Sequence, residues 1–247
     1  MNSKKHSGKN LNHIPILEQE VQVAKAVGEN TAPANEGKLI LIIGVVIIGI
    51  LLLSFAGFKI YNHYNAPKVI NIDQLQQDNL AGKLKEDEGY IYNGFSFVKA
   101  DGLWWTQVKR FDTLVKVPLH FGPKEVEHIP LFGKLNPGFN NGTLYIAVNP
   151  NISFNKYYTL SLMEMNNNIV QGINRGIESA CTFQDPVCGN RSIVSCANPQ
   201  GRAVVELVVS DENSIELSGT CIKVSGSGSN LTKAADRLLY HWYGVLT

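Results

Sequence analysis

A run of twenty residues without a charged side chain, from Leu39 to Phe58, constrains this chain more than any other feature. A helix rises about 1.5 Å per residue, so the run spans about 30 Å, the hydrocarbon thickness of a bilayer. A helix buried in a protein core rarely excludes charge over about 18 residues. The run therefore predicts a transmembrane helix, which we place at residues 39–60.

Two other interpretations of the run stay open. A secretory signal peptide typically has an apolar region of about 7–15 residues behind a short basic lead. The lead here is 38 residues long, but Ser54-Phe55-Ala56 has the small-x-small pattern of a cleavage site. The second alternative is a pilin-like leader cut after Gly37, although Ile42 stands where such leaders usually carry a glutamate.

The charge balance of the chain argues against nucleic acid as a partner. The formal net charge is +1, and from Asn62 onward 16 Lys and Arg stand against 17 Asp and Glu. A nucleic-acid-binding domain needs a basic face, and binding to an anionic membrane surface needs clustered lysines and arginines. The composition therefore predicts neither.

Residues 1–38 are predicted to be a disordered cytoplasmic segment. They are polar, slightly basic and without sustained periodicity, which is typical of disorder. Apolar residues near helical spacing between Pro15 and Gly28 also allow a short amphipathic helix. Such a helix would either form transiently or dock on a cytoplasmic partner or the bilayer surface.

The positions of the cysteines and the glycosylation sequons predict the orientation. All four cysteines and all four Asn-x-Ser/Thr sequons follow the apolar run. Disulfides persist outside the reducing cytosol, and sequons are used only on the exported side. We therefore expect a single-pass protein of the cell membrane with a cytoplasmic N-terminus and the C-terminal domain outside. The candidate glycosylation sites of this expected glycoprotein are Asn141, Asn151, Asn190 and Asn230.

The first half of the exported part has the pattern of antiparallel strands. Residues 61–88 are predicted to be a polar stalk with a helical turn near 72–84, and the exported domain takes residues 89–247. Residues 90–98 and 103–108 read as strands joined by a tight turn at Asp101-Gly102. Residues 113–118 and 143–148 are expected to extend this meander. Trp104 and Trp105 point to opposite faces of their strand, so one is expected in the core and the other at an edge or against a ligand.

The second half adds helices to strands. Apolar residues from Tyr158 to Ile173 recur at helical spacing, and Glu164 lies off that face, where we expect a solvated or locally paired carboxylate. Strands are predicted at 193–194, 203–209, 215–217 and 221–224, followed by a helix from Asn230 to Tyr243 in which Asp236 and Arg237 form a local ion pair. The fold class is therefore α+β, with antiparallel strands covered by two amphipathic helices.

No motif predicts a catalytic residue, a metal or a cofactor. A zinc site needs three or four converging ligands in a rigid frame. The one His/carboxylate cluster is split by Gly122-Pro123, so we expect an exposed charged turn there. The cluster consists of His120, Glu125, Glu127 and His128. The Gly-Ser turn at 225–229 lacks the spacing of a phosphate-binding loop.

Three segments resemble those of small membrane-anchored archaeal proteins that have no assigned function. They are YNGFSFVKADGLWWTQV, CTFQDPVCGNRSIVSC and CIKVSGSGSNLTKAADRLLYHWYGV, and the resemblance covers roughly residues 88–247. It implies an archaeal envelope location and brings no catalytic residues.

The disulfide pairing is predicted as Cys181–Cys188 and Cys196–Cys221, one of the three connectivities that four cysteines allow. Asp185-Pro186 turns the chain back, which permits the local bridge. Two strands, one ending at Cys196 and one beginning at Cys221, would bring the second pair within the roughly 4.4–6.8 Å that a bridge requires. Closing the second loop should stabilise the fold by roughly 3 kcal/mol. Four reduced core cysteines are the alternative, and they would go with a domain inside the cell.

Together these features predict a cell-surface or envelope protein whose domain binds or supports another molecule. The expected partners are the lipid bilayer and an envelope protein or glycan, with Trp104 and Trp105 as candidate contacts. The sequence favours a protein without enzymatic activity. The alternatives are an exported enzyme, either a hydrolase or a thiol–disulfide exchange enzyme, and an accessory subunit of a membrane complex.

Overall fold

The computed structural model describes residues 36–65, 70–110, 112–153 and 155–247. The chain divides into two compact units, Met1–Lys68 and Val69–Thr247. The amphipathic helix and most of the disordered segment predicted for residues 1–38 lie outside the described residues.

The first unit contains helix α1, Glu36–Asn65. Within α1 the stretch Gly37–Asn62 is 26 residues long, and its most apolar window has a mean hydropathy of 3.2 with none of it buried. This confirms one long apolar helix near the N-terminus. The length and composition of this helix are those of a membrane anchor, and a signal sequence has the same properties.

The second unit begins with helix α2, Ile72–Leu80, and a four-stranded antiparallel sheet. The strands follow chain order as β1 Gly89–Tyr92, β2 Phe95–Ala100, β3 Leu103–Arg110 and β4 Thr113–Leu119. The turn predicted at Asp101-Gly102 is confirmed, with φ of +52° and +76°. The strand predicted at 90–98 is divided by a second turn, because Asn93-Gly94 takes φ of +47° and +82°. Asn-Gly is the favoured pair for such two-residue hairpins.

Helix α2 belongs to the compact domain, although its residues fall in the predicted stalk. Gln76 Nε2 donates to Trp105 O at 3.0 Å, and Asn79 Nδ2 donates to Ser96 Oγ at 2.7 Å and to Phe97 O at 3.1 Å. Both side chains are buried, so these bonds satisfy donors that would otherwise be unpaired. The domain therefore begins ahead of residue 89.

A second, seven-stranded sheet has the order β5-β10-β11-β9-β6-β7-β8. In this sheet β10 and β11 are antiparallel and the other neighbours are parallel. The strand expected to extend the meander at 143–148 is β6, and it pairs here with β7 and β9. The chain between β6 and β7 passes through a helix, and such crossovers produce parallel neighbours. The strands are β5 Leu131–Leu135, β6 Leu144–Val148, β7 Ile177–Cys181, β8 Ser192–Ile193, β9 Ala203–Val209, β10 Ser214–Gly219 and β11 Cys221–Gly226.

The remaining helices are α3 Pro123–Val126, α4 Lys156–Asn167 and α5 Ser229–Trp242. A π-helical segment, Asn168–Gly172, continues α4. Helix α5 contacts β9, β10 and β11 as well as α3 and α4. From the meander, Phe97 meets the Tyr240 ring edge-on at 5.7 Å between centroids. The two sheets and helices α4 and α5 therefore share one core, which includes Phe97, Leu119, Ile146, Ile222 and Leu238.

The α+β class with an antiparallel sheet is confirmed, and so is the disulfide pairing. Cys181 is bonded to Cys188 and Cys196 to Cys221, with Cα–Cα distances of 6.2 and 5.3 Å. The predominantly parallel arrangement of the second sheet was not predicted.

Candidate functional site

An apolar groove of about 470 Å³ runs between α4 and the outer strands of the seven-stranded sheet. Its floor is formed by alternate side chains of β6 and β7, including Ile146, Val148 and Ile177, and one wall by Leu162 and Met163 of α4. We call it the α4–β7 groove. Ligand sites typically have volumes of about 300–1,000 Å³ with mostly apolar linings and a few polar groups. The α4–β7 groove has these properties.

The other wall of the groove is formed by residues 187–191, which the Cys181–Cys188 disulfide attaches to the end of β7. Val187 and Arg191 line the groove from this segment, and the Val187 side chain is 65% exposed. The Arg191 guanidinium donates to Val187 O at 3.0 Å and to Cys188 O at 3.2 Å. The bridge and these two hydrogen bonds therefore fix the wall in place.

The edge of β7 beside the groove is open. Strand β8 pairs only with Ala180 and Cys181 of β7, so residues 177–179 have no strand partner on that side among the described residues. Successive peptide groups of β7 point alternately toward β6 and toward the opposite side of the strand. Toward β6, Gly176 O accepts from Leu144 N and Thr182 N donates to Val148 O. On the opposite side, Cys181 O accepts from Val194 N. The amides of Ile177 and Ser179 consequently face the open edge.

A second cluster lies where the chain leaves β4. Three successive backbone N–H groups each donate to a carboxylate from a different helix. His120 N donates to Glu164 Oε1 at 2.9 Å, Phe121 N to Asp236 Oδ2 at 2.9 Å and Gly122 N to Glu125 Oε2 at 2.8 Å. We call this arrangement of residues 120–122 with Glu125, Glu164 and Asp236 the carboxyl clasp. It joins the meander to α3, α4 and α5.

Two carboxyls of the clasp are withdrawn from water. Asp236 is 0% exposed and Glu164 7% exposed. Burial raises the pKa of the Asp236 carboxyl well above its usual range, and the charge and hydrogen bond of Glu164 raise it further. The Tyr240 hydroxyl donates to Phe121 O at 2.8 Å, and burial raises its pKa as well. These surroundings favour the protonated form of the Asp236 carboxyl.

On the solvent side of the clasp, the His120 Nδ1 atom pairs with Glu164 Oε1. The His120 and Glu164 side chains line a hollow of about 210 Å³ together with Lys116, Asn167 and Gln171. Met163 borders both this hollow and the α4–β7 groove. An imidazole oriented by a buried carboxylate is an arrangement that supports acid–base chemistry.

The clasp was not predicted from the sequence, and two expectations at its residues were wrong. Glu164 is buried and bonds His120, which is 44 positions away, rather than being solvated or locally paired. Asp236 accepts from Phe121 N, while the Arg237 guanidinium donates to Thr247 O at 2.8 Å, so Asp236 and Arg237 form no local ion pair. Helix α5 is buried on most of its sides, and Glu164 lies on the buried face of α4. The assumption of one purely apolar buried face could not show either feature.

The predicted His/carboxylate cluster is only partly an exposed turn. Glu125, Glu127 and His128 are exposed, as predicted. Glu127 accepts a hydrogen bond from the Tyr92 hydroxyl, and His120 turns away toward Glu164. The four side chains of the predicted cluster therefore do not converge on one point.

The two candidate binding tryptophans are divided as predicted between core and surface. Trp104 is 6% exposed and its Nε1 donates to Glu125 Oε2 at 2.9 Å. Trp105 is half-buried and its Nε1 donates to Ala100 O at 3.2 Å. Neither lines the α4–β7 groove, so the groove is a candidate site that the sequence did not reveal.

The four candidate glycosylation asparagines, Asn141, Asn151, Asn190 and Asn230, are all exposed. The hydroxyl residue of the last sequon differs from the other three. Thr232 is 0% exposed, and its hydroxyl donates to Tyr157 O at 3.3 Å and accepts from Ser161 Oγ at 3.1 Å. Asn190 lies in the wall segment of the groove.

One group of three potential metal ligands occurs in the described part of the chain, formed by Cys196, Glu206 and Cys221. The two sulfurs are bonded to each other, so neither is a thiolate. Cys196 N donates to Glu206 Oε2 at 2.6 Å, which gives this carboxylate a structural role. All four cysteines of the chain are in disulfides.

The fold and its sites define a disulfide-stabilised α+β domain that follows a candidate membrane helix. Comparisons with protein-family models, with curated proteins and with solved structures find no match to this chain.

Proposed function

We propose that this chain is a single-pass membrane-anchored binding protein whose exported domain captures an extended polypeptide segment of another envelope protein. The observation that carries the proposal is the open edge of β7 at residues 177–179, which runs beside the apolar α4–β7 groove. The cytoplasmic N-terminus, the outside location of the domain and its place in an archaeal envelope belong to the same proposal. The apolar helix and the two disulfides support the exported location.

An extended peptide fits this surface for two reasons. Its backbone can continue the sheet by hydrogen bonding to the free amides of Ile177 and Ser179, and its alternate side chains can enter a neighbouring pocket. The groove beside the edge is mostly apolar, so it selects apolar side chains at those positions. Glu178 and Arg191 lie at the rim, where they favour a peptide that carries both signs of charge.

Photo-crosslinking in native membranes tests the proposal. A photoreactive residue replaces Val187, whose side chain is 65% exposed in the groove wall, and a matched one replaces Leu114, which is 58% exposed on β4. We expect a protein adduct at position 187 and none at position 114. Adducts to glycan or lipid alone at position 187 would contradict the proposal.

A backbone variant tests the strand pairing directly. Ser179→Pro removes an N–H that faces the open edge, and proline is tolerated where a strand amide makes no ladder bond. Ser179→Ala retains that N–H and is the matched control. We expect the Val187 adduct to be lost only in the proline variant, with unchanged amounts of folded protein. Equal crosslinking in both variants would refute strand addition.

The orientation has its own test. Single cysteines introduced as Ser3→Cys and as Ser218→Cys, which is at an exposed position of β10, are exposed to a membrane-impermeant maleimide on intact cells. We expect labelling at position 218 only. Labelling at position 3 alone would reverse the topology.

An exported hydrolase is a second candidate function, and His120 is the observation that favours it. Its imidazole is oriented by the buried Glu164 carboxylate and lines the hollow of about 210 Å³. If the hollow is a hydrolytic site, His120→Asn abolishes hydrolysis of an activated ester such as p-nitrophenyl acetate while the Val187 adduct persists. Equal rates in the wild type and the variant would remove this candidate. A thiol–disulfide exchange enzyme is not favoured, since Cys181, Cys188 and Cys221 are 3% exposed or less.

A further inference from the structure

The carboxyl clasp brings together two buried carboxyls that each have an unsatisfied oxygen. Glu164 and Asp236 accept hydrogen bonds from the adjacent amides of His120 and Phe121. Their remaining oxygens, Glu164 Oε2 and Asp236 Oδ1, are buried and have no hydrogen-bond partner among the described residues. Ionised carboxylates are acceptors only, so a hydrogen bond between them requires a proton on one of the two.

The surroundings identify the protonated member. Glu164 Oε1 receives the His120 backbone N–H and pairs with His120 Nδ1, so donors stabilise its ionised form. Asp236 Oδ2 receives only the Phe121 N–H, and the ionisable side chains that act on Asp236 are the acidic Glu164 and Glu125. The adjacent Arg237 directs its Nη2 to Thr247 O instead. The proton therefore belongs on Asp236.

The other ionisable groups around the pair are few. Tyr240 from α5 and Tyr90 from β1 are uncharged phenols that lie nearby. Lys116 shares the hollow with Glu164, but its ammonium bonds Asp73 at 2.9 Å. Apart from the His120 imidazole beside Glu164 Oε1, no cationic side chain among the described residues is therefore placed to neutralise the two buried carboxyls.

We propose that Glu164 and Asp236 share a single proton, and that its loss in alkaline solution opens the clasp between residues 120–122, α4 and α5. The clasp is then a pH-sensitive joint between the antiparallel meander and the rest of the domain. With the proton present, one carboxyl donates and the other accepts. Without it, two negative charges face each other in a site that excludes water, and the hydrogen bonds to the loop no longer offset their repulsion.

The sign of the pH dependence follows from linkage. The folded domain holds a proton that the unfolded chain releases above the usual pKa of aspartate, about 3.9. The stability that this group contributes is therefore fully present below that pKa, and it is lost as the pH rises through the raised pKa of Asp236.

Amide substitutions test the shared proton. In Asp236→Asn the amide nitrogen can donate to Glu164 while its oxygen still accepts from Phe121 N. In Glu164→Gln the amide nitrogen can donate to Asp236 while its oxygen still accepts from His120. Each single variant replaces the proton with a permanent donor. In the double variant two NH₂ groups face each other, so this variant has no acceptor between them.

The measurement is chemical unfolding of the full chain in detergent, followed by tryptophan fluorescence. All three tryptophans, at positions 104, 105 and 242, lie in the domain. Between about pH 5 and about pH 9, we expect the wild-type unfolding midpoint to fall and the midpoint of Asp236→Asn to stay level. Each single variant should fold, and the double variant should lose far more stability than the sum of the two.

Glu127→Gln is the matched control, because Glu127 is an exposed carboxyl that accepts from the Tyr92 hydroxyl and lies outside the Glu164–Asp236 pair. It should keep the wild-type pH dependence. The proposal is wrong if Asp236→Asn retains the wild-type slope, or if the double variant is no less stable than the singles predict. This outcome is independent of the α4–β7 groove and of any partner.

Discussion

Removing the two disulfides one at a time should affect the stability of the domain and the binding at the α4–β7 groove to different extents. The Cys196–Cys221 bridge spans 25 positions and the Cys181–Cys188 bridge spans 7. In the chain-entropy model these loops stabilise the folded state by about 3.5 and about 2.4 kcal/mol respectively. The longer bridge therefore contributes about 1.1 kcal/mol more to the free energy of unfolding.

Paired alanine substitutions of each bridge, measured by urea unfolding of the full chain, test this order. For a slope of about 2 kcal/mol/M, the midpoint should fall by about 1.7 M without Cys196–Cys221 and by about 1.2 M without Cys181–Cys188. Crosslinking at Val187 should show the opposite order, because only the local bridge fixes the groove wall. The reasoning would be refuted if loss of the local bridge left the adduct intact, or if it were the more destabilising of the two changes.

Three further changes have defined outcomes. Gly133→Ala should destabilise the domain by about 2 kcal/mol or more in urea unfolding, because Gly133 has φ of +87° and a Cβ there would lie 2.1 Å from Leu217 O. Trp104→Ala should lower the free energy of unfolding by about 3–5 kcal/mol, since the side chain is 6% exposed. In a host that glycosylates sequons, mass spectrometry should find Asn230 unmodified in chains that fold before modification, because Thr232 is buried.

Local sequence signals predicted the features that depend on few residues close in the chain. Asp101-Gly102 specified a tight turn because aspartate and glycine tolerate positive φ, and the structure has it. The helix predicted at 230–243 is α5. The pairing of Cys181 with Cys188 followed from the turn at Asp185-Pro186. Asn93-Gly94 has the same kind of turn sequence. It was placed inside a strand because the residues on both sides of it alternate between aromatic and small or polar side chains.

Features that depend on distant pairing could not be predicted in this way. A short apolar strand such as β6 has the same local pattern in a parallel and an antiparallel sheet, so its neighbours β7 and β9 were not apparent. Strand β5 has Gly133 at its centre, which weakens the pattern of a strand. In the clasp, Asp236 meets Phe121 across 115 positions. No periodicity of α5 distinguishes this carboxyl from a solvated one.

The open edge of β7 is the feature that most needs a physical explanation, since unpaired strand edges promote aggregation. Strand β7 limits this risk through its short length and through the exposed Glu178, whose charge disfavours pairing with a second copy of the same edge. Helix α4, which connects β6 to β7, covers part of one face of the sheet. The space that remains between α4 and β7 on that face is the groove. The charge of Glu178 disfavours pairing between two copies of this edge, while the apolar groove beside the edge can hold side chains. The edge therefore favours a different chain as its partner. Replacing Glu178 with leucine should therefore increase self-association of the full chain, measured by light scattering in detergent, and an unchanged scattering signal would contradict this explanation.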